Sequence, residues 1–113
     1  MTTATFDAKL VQDACEEASL EARKAAKAFF DKHGDRDACG FAWVDIFGVR
    51  GNTKLGRALK EAGVSKSHTG AFQIWNPSNM YVQNVDTLEA GAQAAADVFK
   101  KYGFSAYAGS RLD

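Results

Sequence analysis

The chain of 113 residues has 46% hydrophobic and 25% charged side chains, proportions typical of a single globular domain. Its formal net charge is zero, which gives no support to bulk electrostatic attraction to nucleic acid or to a membrane. Two cysteines, Cys15 and Cys39, are too few for a disulfide framework and lie in no metal-ligand spacing. We therefore expect no metal and no cofactor.

No segment of the chain predicts a membrane span or a signal peptide. No run approaches the ~18 consecutive apolar residues that a membrane span needs. The first ten residues, MTTATFDAKL, lack the basic start and the apolar centre of a signal peptide. We therefore expect a cytoplasmic protein in a reducing compartment, with no membrane partner.

The first predicted element is a long helix over residues 6–33. Apolar or small residues recur at helical spacing between Val11 and Phe29. Acidic residues crowd the first half of this segment and basic residues the second, an order that complements the helix dipole. Gly34 ends the helix, and a polar loop leads to the next element.

Residues 39–63 predict a strand, a turn and a helix. The opening part, residues 39–49, is rich in aromatic and β-branched side chains, as strands are. Because both faces are mostly apolar, we expect this strand to be central in a sheet and covered on both sides. Asn52 and Thr53 are good N-cap residues for the helix that follows, and Gly63 supplies its C-terminal stop.

The rest of the chain predicts a strand, a helix and a short strand. Residues 64–69 are polar and basic, and residues 70–76 form the strand, which ends at Pro77. Residues 80–85 are extended or a short edge strand. The helix covers residues 86–102, where Asp86 and Glu89 are spaced as in a capping box. The final strand covers residues 104–108.

These elements alternate in the order α-β-α-β-α-β within one domain over residues 1–113. The alternation favours an α/β fold with parallel neighbours, and a small α+β layer fits it equally well. In either case we expect a sheet of three or four strands covered by helices.

Three segments resemble small uncharacterised proteins encoded by tailed bacteriophages. They are RGNTKLGRALKEAG, FQIWNPS and LEAGAQAAADVFKKYGFSAYAGSRLD. The resemblance covers roughly residues 39–113 and rests on the WNPS motif, the EAGA run and the SRLD terminus. Because no activity is assigned to that group, no functional residues carry over. The resemblance implies a small soluble protein made in the cytoplasm of an infected bacterium.

The most specific candidate site is a basic corner at the start of the second helix. Residues 50–68 contain five basic residues and one acid. The first amides of a helix point outward at the positive end of its dipole, which suits a phosphate. The segment lacks the spacing of a Walker loop, and a solvated basic helix face is the alternative. We predict a nucleotide or nucleic-acid ligand, bound by Arg50, Asn52, Lys54, Arg57, His68 and Trp75.

Aromatic residues near the corner suggest a second contribution to binding. Trp43, Trp75 and Tyr81 are candidates for a platform on which bases stack, as in single-strand binders. Core packing is the alternative, and it is the better expectation for Trp43 and Phe72.

Two other functions stay open. The first is a homodimer or other homo-oligomer without catalytic activity, in which the alanine-rich third helix packs against its copy. The second is a small enzyme that uses Asp45 and His68, although no nucleophile lies in a recognisable motif and we predict no catalytic residue. A buried Asp45 needs a partner such as arginine or lysine, or else its pKa rises.

Overall fold

A computed structural model describes residues 8–34, 39–49, 53–66, 71–80 and 84–112 of the chain. The helices and strands, in chain order, are α1 (Ala8–His33), β1 (Gly40–Phe47), α2 (Lys54–Glu61), β2 (Ser65–Lys66), β3 (Phe72–Trp75), α3 (Val85–Lys101) and β4 (Ser105–Leu112).

The four strands form one sheet in the order β2-β3-β1-β4, with every neighbouring pair antiparallel. The predicted α+β class is confirmed, and the alternative with parallel neighbours is wrong. β1 is central, as expected, because β3 pairs along one of its sides and β4 along the other. The polar and basic segment after α2 contributes the two-residue edge strand β2, which the sequence did not predict.

All helices described lie on one side of the sheet. α3 packs on β1 and β4, α1 packs along α3, and α2 packs against α1. The side chains of Ala42, Val44 and Ile46 point from β1 into this layer and are buried. The alternate side chains of β1 point the other way, and Phe41 and Phe47 remain largely exposed. The expectation that β1 is covered on both sides is therefore wrong.

Small side chains bring α1 and α3 close together. Ala22 on α1 and Ala92 and Ala95 on α3 are fully buried. At Gly91, an added Cβ would lie 2.9 Å from the Ser78 Cβ and 3.1 Å from the Ala22 carbonyl oxygen. The alanine face of α3 is thus occupied by α1 within the chain.

The helix starts follow capping chemistry. Thr53 is the N-cap of α2, as predicted, and its hydroxyl oxygen accepts from the Gly56 amide at 3.0 Å. α3 begins one residue earlier than predicted, with Asn84 as its N-cap. The Asn84 side chain is buried, accepts from the Asp86 amide at 2.9 Å and donates to the Gly34 carbonyl at 3.1 Å. Asn84 therefore links the start of α3 to the end of α1.

Candidate binding face on the open side of the sheet

The side of the sheet away from the helices carries a set of alternate residues, which we call the outer face. Of the six exposed large hydrophobic residues in the described part of the chain, four lie on it: Phe41 at 41%, Phe47 at 45%, Trp75 at 50% and Tyr107 at 55% exposure. An exposed apolar patch of this kind marks an interaction site more often than a random surface does. Its members are Phe41, Trp43, Asp45, Phe47, Ser65, Gln73, Trp75, Ser105, Tyr107, Gly109 and Arg111.

Three aromatic rings and one guanidinium form a group that we call the tryptophan cluster. Trp43 and Trp75 face each other across β1 and β3, with ring centroids 4.9 Å apart and planes tilted by 38°. Phe41 meets Trp75 edge-on at 6.4 Å, and the Arg111 guanidinium lies 5.5 Å from the centre of the Phe41 ring. These contacts are in the usual ranges for aromatic pairs and cation–π pairs.

A chain of hydrogen bonds, which we call the indole network, holds both tryptophans. Trp43 Nε1 donates to Asp45 Oδ2 at 3.0 Å, and Gln73 Nε2 donates to Asp45 Oδ1 at 2.8 Å. Trp75 Nε1 donates to Gln73 Oε1 at 3.2 Å. Each indole therefore has its N–H bonded within the sheet, which fixes the orientation of both rings, and half of the Trp75 side chain remains exposed.

Gly109 on β4 makes room for the Trp43 indole. The two residues are directly opposite each other in the sheet register. A Cβ at Gly109 would lie 2.6 Å from Trp43 Cε2 and Nε1, which is closer than a Cβ atom approaches any non-bonded heavy atom. The indole thus lies against the backbone of β4, and any larger residue at position 109 would displace it.

A second aromatic group, the tyrosine cluster, lies toward the other end of β1. The Phe47 and Tyr107 ring centroids are 5.9 Å apart, and the Lys100 ammonium lies 5.2 Å from the centre of the Tyr107 ring. Phe47 lies six positions after Phe41 along the strand, a distance of ~20 Å at ~3.3 Å per residue. The aromatic groups are thus distributed along the length of β1, and each includes a basic side chain.

Of the six predicted ligand-binding residues, three lie in the described part of the chain. Lys54 and Arg57 are exposed on α2, and Trp75 is on the outer face of β3. Trp75 contacts Phe41, Trp43 and Gln73. Arg50, Asn52 and His68 lie outside the described residues.

Asp45 has a different environment from the one predicted. It is half-buried, and its carboxylate accepts from the neutral donors of Trp43 and Gln73 in place of the expected arginine or lysine. An enzyme built on Asp45 and His68 stays a prediction, because His68 lies outside the described residues.

Several outer-face residues are absent from the predicted binding residues, above all Phe41, Phe47, Gln73 and Tyr107. One signal for this face was present in β1. Its aromatic residues alternate with small and aliphatic ones, and Asp45 lies in the aromatic row. An ionisable group in that row favours an open face, since burying a charge without partners is costly.

A cleft in the helical layer has the wrong charge for a phosphate. It lies between α1 and α2, has a volume of about 540 Å³, and includes Glu16 and Glu61 in its lining. Burial, followed by the charge of Glu16, raises the pKa of the Cys15 thiol in this lining, so the thiolate is disfavoured.

Within the described ranges, no three metal-ligating side chains gather into a possible metal site. No described helix is long and apolar enough to cross a membrane. No protein-family model matches the chain, and comparison with curated proteins and with solved structures gave no match.

Proposed function

We propose that the protein binds single-stranded nucleic acid on the outer face. The observation that carries this proposal is the Trp43–Trp75 pair, which stands on the outer face of the sheet with both indole N–H groups bonded internally. Proteins that bind single strands commonly stack unpaired bases on aromatic side chains of a sheet. Each such stack contributes about 1–3 kcal/mol.

Basic side chains beside the rings favour nucleic acid over an uncharged planar ligand. Arg111 lies over Phe41 and Lys100 over Tyr107, so a backbone that follows the rings meets a cation at each group. Two phosphate contacts predict a slope of about −1.4 for the logarithm of the binding constant against the logarithm of salt concentration. This electrostatic contribution is small and agrees with the zero net charge.

The geometry favours a single strand over a duplex. In a double helix each base is stacked between its neighbours, so its faces are closed to the indoles of Trp43 and Trp75. An unpaired base can leave its stack and lie on a side-chain ring. Selection for single strands then follows from the chemistry of stacking, without base-specific hydrogen bonds.

The basic corner extends the proposal. Arg50, Asn52, Lys54, Arg57 and His68 are candidate phosphate contacts for a strand that continues past the tryptophan cluster. Engagement of Lys54 and Arg57 in addition to Arg111 and Lys100 steepens the expected salt slope to about −2.8. The salt slope therefore separates binding by the outer face alone from binding by the face and the corner. Origin in a bacteriophage stays a prediction from the resemblance.

The test is fluorescence anisotropy of labelled single-stranded DNA and RNA oligomers, with a duplex of the same sequence for comparison. Trp75→Ala is expected to weaken single-strand binding by roughly five- to 150-fold, the equivalent of one lost stack. Leu20→Ala is the matched control, because Leu20 is a similarly exposed apolar residue on α1. The double variant Lys54→Ala with Arg57→Ala tests the corner separately.

The variants give distinct outcomes. Weak binding by Trp75→Ala with normal binding by Leu20→Ala supports the outer face. If Trp75→Ala binds as the unchanged protein does and only the Lys54/Arg57 variant fails, the ligand lies at the basic corner. Absence of binding to every oligomer at low salt contradicts the proposal.

A further inference from the structure

β4 is a long edge strand. It lies at one end of the strand order and pairs with β1 over eight residues, from Ser105 to Leu112. The strand at the opposite edge, β2, has only two residues. Natural sheets commonly shorten or block their edges, since an open edge is a template for another strand. Among the strands that the structure describes, the β2 edge is thus protected by its short length and the β4 edge is not.

The register establishes which backbone groups of β4 point away from the sheet. The Asn76 amide donates to the Ala42 carbonyl at 2.9 Å, so even-numbered residues of β1 direct their backbone groups toward β3. The odd-numbered residues of β1 then bond to their odd-numbered partners on β4, because the two sides alternate in an antiparallel sheet. The amides and carbonyls of the even-numbered β4 residues therefore point outward, and these residues are Ala106, Ala108, Ser110 and Leu112.

The residues of β4 itself do little to block this edge, but two charged side chains of α3 lie beside it. The Glu89 carboxylate accepts from the Ser110 hydroxyl, and the Lys100 ammonium lies 5.2 Å from the centre of the Tyr107 ring. The strand reads SAYAGSRL, with Arg111 as its one charged residue and with no proline. The outward-bonding positions are alanine, alanine, serine and leucine, none of which carries the charge that edge strands use against pairing.

We propose that a second copy of this chain pairs along β4, antiparallel, about a two-fold axis. A strand from a second copy brings its own α3, which packs on β4 and covers the helix side of the added strand. An isolated peptide would leave that side uncovered. The zero net charge of the chain removes bulk repulsion between copies.

The side-chain alternation restricts the register of this pairing. Directly opposed residues in an antiparallel pair lie on the same face, so odd residues meet odd and even meet even. A central axis then passes at Ala108 or at Gly109. Tyr107 of one copy lies opposite Gly109 or Arg111 of the other. The sheet grows to eight strands, and the two outer faces become one continuous surface.

The test is analytical ultracentrifugation over a wide dilution series. Ala108→Pro removes one outward N–H without touching the bonds to β1, since proline is tolerated at sheet edges. Ala108→Ser keeps the N–H and is the matched control. Leu112→Pro removes a second outward N–H at the end of the strand, where folding is least affected. Circular dichroism verifies that each variant is folded.

We expect a concentration-dependent dimer in the unchanged protein and in Ala108→Ser, and a shift toward monomer in both proline variants. If Ala108→Pro does not fold, the association state of Leu112→Pro decides whether the copies pair along β4. A protein that stays monomeric at every concentration overturns the proposal. A dimer that survives both proline changes but is lost in Trp75→Lys overturns it too, because the copies then meet through the outer face. This inference stands independently of the nucleic-acid proposal.

Discussion

The two faces of β1 are both largely apolar in sequence, yet they have opposite roles. The face toward the helices carries Ala42, Val44 and Ile46, all fully or almost fully buried. The outer face carries larger aromatic residues that are half-buried or exposed. Hydrophobicity alone does not distinguish these faces, because aromatic residues are common both in protein cores and in binding surfaces.

Polar chemistry separates the two faces. Asp45 and Gln73 join the outer row and bind the indole N–H groups of Trp43 and Trp75. The helix side of β1 has only hydrocarbon side chains, which pack against α3. A face of small aliphatic residues allows a helix to pack closely on the sheet. A face of aromatic rings linked by hydrogen bonds is suited to reversible binding of a ligand.

The sharpest test of this contrast compares two phenylalanines of the same sheet. Phe72 is fully buried on the helix side, and Phe41 is 41% exposed on the outer face. Phe72→Ala is expected to lower the free energy of unfolding by about 3–5 kcal/mol, as for other large-to-small core substitutions. Phe41→Ala is expected to cost only about 1 kcal/mol, from its lost aromatic contacts. Urea denaturation measures both, and equal costs would contradict the division into faces.

Gly109→Ala tests how closely Trp43 packs on β4. The added methyl would meet the indole at 2.6 Å, and the rigid ring has to move. We expect a loss of about 1–3 kcal/mol in the free energy of unfolding, the usual range for overpacking, with a shift in tryptophan emission. Ser105→Ala, on the same face of β4, is the control. An unchanged emission spectrum would show that Trp43 does not lie against Gly109.

Asp45→Asn tests the indole network. Three N–H groups donate along this network, and Asp45 accepts two of them. Asparagine has one acceptor oxygen, so one bond is lost, at a cost of about 0.5–1.5 kcal/mol in unfolding free energy. Asp97→Asn removes the same charge on exposed α3, where the Asp97 carboxylate accepts from Gln93. Equal effects of the two substitutions in denaturation would argue against the network.

The smallest expected effect lies in the helical layer, far from the outer face. Hydrogen bonds from Lys101 and from Tyr102 hold the pKa of Glu17 below its usual range. A lowered pKa in the folded state stabilises the fold at a pH above the unfolded value of about 4.3, and this stabilisation is lost as the pH falls through the folded value.

Glu17→Gln should therefore flatten the dependence of unfolding free energy on acid pH and leave oligonucleotide affinity unchanged. Denaturation at a series of acid pH values measures the first effect, and anisotropy measures the second. An identical pH dependence in both proteins would show that the Glu17 contacts contribute nothing.

The fold was largely predictable because its elements have local signals. Helical periodicity, the Thr53 cap and the stops at Gly34 and Gly63 depend on neighbouring residues, so a sequence pattern contains them. The start of α3 was misplaced by one residue because Asn84 also bonds to the carbonyl of Gly34, a contact across 50 residues. Strand direction likewise depends on contacts between distant segments.

The site was predictable only in part. The sequence predicts Trp75 as a binding residue, whereas core packing is the better expectation for Trp43. The predicted final strand ends at residue 108, before Gly109. Gly109 instead leaves space for the Trp43 indole to pack on the backbone of β4, and the pairing of β4 with β1 continues to Leu112. Such a contact between two strands cannot be predicted from the sequence pattern of either strand alone.

The most direct test of the central claim uses the indole N–H resonances of the protein. The chain has two tryptophans, Trp43 and Trp75, and both lie in the tryptophan cluster. Two-dimensional ¹⁵N–¹H NMR therefore gives two indole signals that report on the proposed site. Addition of a single-stranded oligonucleotide should shift both signals in a saturable manner, while the matching duplex shifts them far less. Indole signals that stay unchanged as the single strand is added would contradict binding on the outer face.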